Sequence, residues 1–216
     1  MEGKETGRLE AFSDGVFAIA ITLLIIEIKV PHLPPAAANR ELWEALLGLW
    51  PSFLALVMSF ASILIMWVNH HGLFGLMQRV DASLLFANGF LLLLITFVPF
   101  PTAVLAAYLD REAANTAAAF YCGTYVLINL AYNLLWYTAT HHHLVQAQVP
   151  AAHIQKIRTA YRLALTAYVL ATALAVVHAF AGLAVCSVMW GVWAFLNYRP
   201  VDSRVGGLRP SQEEEP

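Results

Sequence analysis

Six separate stretches of about 20 apolar residues run through this chain of 216 residues. A helix needs roughly that many to cross the hydrocarbon core of a bilayer. Water is absent there, so only helices or closed barrels satisfy every backbone polar group. The stretches cover residues 10–30, 46–69, 83–105, 115–140, 160–180 and 183–198. They predict an all-α polytopic membrane protein, one six-span unit over residues 1–216 with no soluble domain. Gly182 predicts a tight hairpin between the last two spans. Pro31, Pro34 and Pro35 end the first span, because proline lacks a donor, and the prolines of 97-FVPFP-101 finish or kink the third.

Composition agrees. The chain is 60% hydrophobic and 12% charged, against about 25% charged in soluble domains. Its formal net charge of −2 provides no basic footprint, so no nucleic acid is expected as a partner. Cys122 and Cys186 both lie in apolar stretches, which is no disulfide framework. The first stretch has the length of a signal peptide, but Asp14 at its head and Glu27 at its end oppose that reading.

Short-loop lysines and arginines set orientation. One side receives Lys4, Arg8, Arg79, Lys156, Arg158, Arg162, Arg199, Arg204 and Arg209, and the other Lys29, Arg40 and Arg111. Nine against three places both termini in the cytoplasm, consistent with an even number of spans. The acidic run 213-EEE-215 reads as a solvated tail.

Ionisable groups inside spans are costly and mark functional or structural networks. The sharpest set opens the first span, 8-RLEAFSDGVFAIAITLLIIEI-28, with Arg8, Ser13 and Asp14. Ser13 or Asp14 suits a helix N-terminus as a cap. A network is the other reading. Trp67 and His71 are four residues apart on one helix face, with Asn69 and His70 beside them and Asp81 and Asn88 at the head of the third span. A buried Asp14 bonded to the Trp67 indole, an imidazole and the Asn88 carboxamide would hold the first span to the next two. Beyond Asp14, the residues Ile19, Thr22, Leu23, Ile26 and Val30 recur on one face. Periodicity alone does not separate packing or lipid contact from a pore.

The run Arg8-x-x-x-Phe12-Ser13-Asp14 resembles the R-x-x-x-F-S-D signature of the transmembrane protein 175 family, endosomal and lysosomal potassium channels and their prokaryotic relatives. The resemblance continues through 15-GVFAIAITLLIIEI-28, Trp67 with His71, Asn88 and 97-FVPF-100, roughly the first half of the chain. It implies a homotetrameric, potassium-permeable channel in a prokaryotic cell membrane, with lipids and monovalent cations as its other partners and no cofactor. The first helix would line the pore. Counting from Asp14, the family's hydrophobic constriction falls on Ile19, its hydroxyl layer on Thr22, and further pore-facing positions on Leu23 and Ile26. Hydrophobic constrictions gate by dewetting. Potassium sheds water at less cost than sodium, so the implied selectivity is modest.

Other readings stay open. No span carries a regular arginine series, which disfavours a voltage sensor. Asp14, His71 and Glu27 could serve a proton pathway or secondary transporter, and Glu27 could form a ring at the outer mouth. The histidines His70, His71 and His141 to His143 lack a metal-ligand spacing, which weighs against an enzyme. His141 to His143 read as a solvated loop, His178 as a packed, hydrogen-bonded residue deep in the fifth span, and a scaffold remains the blandest alternative.

Overall fold

A computed structural model describes the main chain of residues 2–196 and the side chains of residues 5–196. Lys4, Arg199, Arg204, Arg209 and the acidic run 213–215, used above for orientation and the tail, lie outside the described side chains. The described residues form eight α-helices: α1 (Glu2–Leu23), α2 (Asn39–Gly48), α3 (Trp50–Phe74), α4 (Ala82–Phe97), α5 (Pro99–Tyr108), α6 (Ala114–His141), α7 (Ala151–Val177) and α8 (Ala179–Ala194). A 3-10 turn, Leu24–Glu27, extends α1.

Five of the expected spans are helices long and apolar enough to cross a bilayer: α1 with its turn, α3, α4 with α5, α6 and α7. The sixth is shorter. At 16 residues α8 is about 24 Å long, less than the roughly 30 Å core. The protein is a multi-pass membrane protein.

Several boundaries differ from the sequence reading, each for a local reason. The second span begins at Trp50, because residues 46–48 belong to the separate helix α2 and Leu49 leaves helical geometry at ψ 7°. The third span is two helices. Val98 separates them, and Pro99 and Pro101 supply no N–H for the ladder. The fifth begins at Ala151, so Lys156, Arg158 and Arg162 lie on its first turns rather than in a loop.

The last hairpin does not turn at Gly182. Extended backbone at His178 (φ −148°, ψ 106°) makes the break, and its Nδ1 accepts the Ala181 N–H at 3.3 Å. His178 is therefore an exposed hinge residue, not one packed in a span. Gly182 lies inside α8 and permits close approach to α7. A Cβ there would sit 2.5 Å from Ala175 Cβ and 2.6 Å from the Ala171 carbonyl oxygen.

The core follows from these crossings. Helix α6 is central, packed on α4, α5, α7 and α8, and supplies the buried Tyr121, Tyr125, Tyr132, Leu135 and Trp136. Hydroxyls at its centre are paired. Tyr125 donates to Tyr121 at 2.8 Å, and Tyr121 and Thr102 flank Ser59 at 3.1 and 2.6 Å. Outside the spans, the connector after α3 lies against the connector after α6. Gln78 N–H donates to Leu144 O at 2.9 Å, Gln146 N–H to Leu76 O at 2.9 Å, and Met77 bridges Val145. The expected solvated run His141 to His143 contributes to this clasp: His142 faces Asp81, and the His143 carbonyl accepts from Arg79 at 3.3 Å. Asp81 caps α4 by accepting the Leu84 N–H at 2.7 Å. That backbone donor, helped by His142, holds the Asp81 carboxyl below its ordinary range.

Two predictions follow from this packing. Gly182→Leu should destabilise the fold by about 1–3 kcal/mol through overpacking, read as a lower unfolding temperature in detergent. Asp81→Ala should cost about 1 kcal/mol at neutral pH. Because the folded carboxyl titrates lower than the unfolded one, its contribution is present above about pH 4 and is lost as pH falls through the folded value. The variant should thus show a shallower loss of stability on acidification than wild type.

Candidate functional site

Helix α1 has two unlike faces. Ser13, Phe17, Ala20 and Leu24 recur at i, i+4, i+7 and i+11 and are buried against the rest of the subunit. Its contacts are with α3 and α4. The opposite face carries the stripe expected from sequence, and it is uncovered: Ile19 is 58% exposed, Leu23 40% and Ile26 59%. Val30 continues it beyond the helix. Thr22 is on this face, its hydroxyl donating to Ile19 O at 2.9 Å. The hydrogen is thereby committed to the backbone, and the oxygen of this exposed residue keeps acceptor capacity.

Polar contacts hold the buried face at the N-terminal end of α1. Trp67 Nε1 donates to Asp14 Oδ1 at 2.8 Å. One turn away, His71 Nδ1 meets Glu10 Oε1 at 2.6 Å. Residues 10 and 14 are i, i+4 on α1, and 67 and 71 are i, i+4 on α3, so the two bonds are successive rungs between antiparallel helices. The Trp67 and His71 rings stack at 6.4 Å between centroids, which keeps the rungs in register.

A third contact set reaches α4. Asn88 Nδ2 donates to Ser13 Oγ at 3.0 Å, and Ser13 Oγ donates to Leu9 O at 2.9 Å. With its amide so oriented, Asn88 Oδ1 faces His70 Nε2 at 2.9 Å, and Nε2 is the nitrogen that carries hydrogen. His70 is fully buried between Phe17 and Phe74, at ring distances of 5.3 and 4.3 Å.

The single network centred on Asp14 is therefore not what the structure shows. Asp14 is half-buried and, among the described residues, takes only the indole; the imidazole of His71 goes to Glu10, and the Asn88 carboxamide to Ser13 and His70. Ser13 and Asp14 do not cap α1, which begins at Glu2. Two members of the signature stand apart from these contacts. Phe12 is exposed, and Arg8 is exposed with no side-chain partner among the described residues. Glu10 is the participant that the sequence reading missed, and His70, named there only as a neighbour of Trp67 and His71, is the imidazole that pairs with Asn88. Glu10 was detectable as the residue one turn before Asp14, matching the spacing of the Trp67 and His71 pair. The candidate metal histidines do not converge: His70 and His71 have the partners given, His141 stacks on Tyr137, and no three His, Cys, Asp or Glu groups meet among the described residues.

The fold is that of a multi-pass helical membrane protein whose first helix is anchored to the next two spans by polar side chains. Comparison with known proteins gives the family. A family model described as endosomal/lysosomal potassium channel TMEM175 matches residues 8–99. A protein named potassium channel from Chamaesiphon minutus is 47% identical over 189 residues, 87% of this chain and 93% of that one. Another from Streptomyces collinus is 45% identical over 202 residues, 93% and 96% of the two chains. The human endosomal/lysosomal proton channel TMEM175 is 44% identical over 72 residues, 31% of this chain and 14% of that protein. The crystal structure of a lysosomal potassium-selective channel TMEM175 homolog from Chamaesiphon minutus matches with a TM-score of 0.78 and 46% identity, covering 88% of this chain and 97% of that one. The chain belongs to the TMEM175 family.

The contacts rank three substitutions. Asn88→Ala strands the buried Ser13 and His70 groups and should cost about 2–3 kcal/mol; Trp67→Phe removes one donor from a carboxylate and should cost about 1.5 kcal/mol. Arg8→Ala should stay within about 0.5 kcal/mol. Thermal unfolding of the three purified variants checks the order.

Proposed function

We propose that this protein is a potassium-permeable channel, a homotetramer of six-span chains with both termini in the cytoplasm of a prokaryotic cell. Four copies of α1 surround the axis. The observation that carries the reading is the exposed stripe of Ile19, Thr22, Leu23 and Ile26, on a helix whose other face is buried and polar-anchored. Within one copy no described residue covers that stripe, and a path lined by α1 on all sides requires further copies. The names of the full-length bacterial relatives support potassium as the permeant ion.

The chemistry follows from the side chains. Four Ile19 residues closing on the axis form an apolar ring with no ligand for an ion. A cation passes when the ring widens enough to wet, or when the ion sheds part of its shell. Potassium is held less tightly by water than sodium and crosses at lower cost. The Thr22 oxygens, less than one turn along, are acceptors that replace some of the lost water. Selectivity of this kind is modest, because no cage of carbonyls surrounds the ion. No cofactor takes part. Protons are a second candidate permeant along the same axis, since the animal relatives are named proton channels.

Purified protein reconstituted in liposomes should release potassium, and Ile19→Asn should release it faster with weaker preference over sodium. A tenfold gain would mean about 1.4 kcal/mol removed from the barrier. Flux from neither protein, with both folded, would return Ile19 to a packing role and disprove the channel. A pH-sensitive dye inside the same liposomes reports whether protons follow the same route.

A further inference from the structure

Helix α2 has no counterpart in the sequence reading, and none of its residues is buried. It is amphipathic. Leu42, Trp43, Leu46 and Leu47 occupy one face, with Trp43 66% and Leu47 68% exposed. Arg40, in line with Leu47 at the edge of that face, and Glu41 and Glu44 beyond it have polar groups that already have partners: Arg40 pairs with Glu44 at 2.7 Å, and Glu41 accepts the Ala38 N–H at 2.9 Å. Such a helix, alone in water, would leave its apolar face without cover.

Its position names the cover. One residue separates α2 from α3, a membrane-length helix, so α2 sits at the edge of the bilayer by chain connection. Trp43, Leu46 and Leu47 line a shallow apolar groove that runs on to Trp50 and Phe53 of α3. Trp50 stacks on Phe180 at the start of α8, at 6.4 Å. Helix α8 packs on α3, α6 and α7, so this aromatic corner joins the start of α3 to that group of helices. Tryptophan concentrates at membrane–water interfaces, where an amphipathic ring fits.

We propose that α2 is an interfacial membrane anchor, lying in the headgroup layer of a phospholipid bilayer with Leu42, Trp43, Leu46 and Leu47 immersed. One arginine against two glutamates gives α2 a net charge of −1, so apolar immersion and not attraction to anionic lipid holds it. The linker of residues 28–38, with Pro31, Pro34 and Pro35, joins this anchor to the end of the 3-10 turn and ties the end of α1 to the membrane surface.

Spin labels at Trp43→Cys, Leu47→Cys, Glu41→Cys and Glu44→Cys test this in phosphatidylcholine vesicles, on a Cys122→Ala, Cys186→Ala background. Collision with oxygen against a water-soluble nickel chelate should place labels 43 and 47 about 5–10 Å into the headgroup–acyl boundary. Labels 41 and 44 should be aqueous. Adding phosphatidylglycerol should leave the depths unchanged. Four aqueous labels would overturn the proposal. So would labels 43 and 47 shielded from both reagents, with spin–spin broadening that dilution with unlabelled protein removes, because a second copy would then be the cover. Quenching by brominated lipid needs no cysteine changes: Trp43→Phe should lose a quenchable component, and equal quenching of variant and wild type would also overturn it. Neither readout depends on ion flux.

Discussion

A transmembrane helix that must show one face to its own subunit and leave the other bare needs its rotation set by something other than apolar contact. Hydrocarbon neighbours are as apolar as the helix, so packing alone discriminates poorly between rotations. In this protein the rotation of α1 is set by directional bonds: Asp14 to Trp67, Glu10 to His71, and Ser13 to Asn88. A turn of α1 by one residue, about 100°, would break all three. Polar anchor and apolar stripe are thus parts of one arrangement, the first fixing where the second points.

The remaining helices supply a support that does not yield. Helix α6 presents aromatic and hydroxyl side chains to four neighbours, and α7 and α8 close on each other where Gly182 meets Ala171 and Ala175. The two connectors at the N-terminal side of α4 are held together by backbone bonds and by the Asp81 and His142 pair. Breaks in the helices coincide with residues that cannot continue the ladder, as at Pro99 and Pro101, or with an extended residue such as His178.

Much of this was legible in the residues. Apolar length located the membrane-length helices, and the i, i+4 spacing of Trp67 and His71 identified a polar face. What escaped has physical reasons. Several polar side chains within reach of Asp14 compete for few partners, and which pairs form depends on sub-ångström placement that spacing does not carry. An apolar stretch gives no signal for a break inside it, so the last three residues of α2 were joined to α3, and the bend at His178 was assigned to the nearest glycine. Glycine serves a turn or a close helix approach equally well, and Gly182 proved to be the second.

The 3-10 turn at Leu24–Glu27 changes the pitch of the stripe at its end. With three residues per turn, side chains at i and i+3 eclipse, so Ile26 stands directly above Leu23 instead of drifting around the axis. Rewinding those four residues as α-helix would shorten the segment by about 2 Å and swing Ile26 by about 60° relative to Leu23. The far end of the stripe is therefore a short screw. Its thread differs from that of the anchored end, three turns away, where the rungs hold an ordinary α-helix.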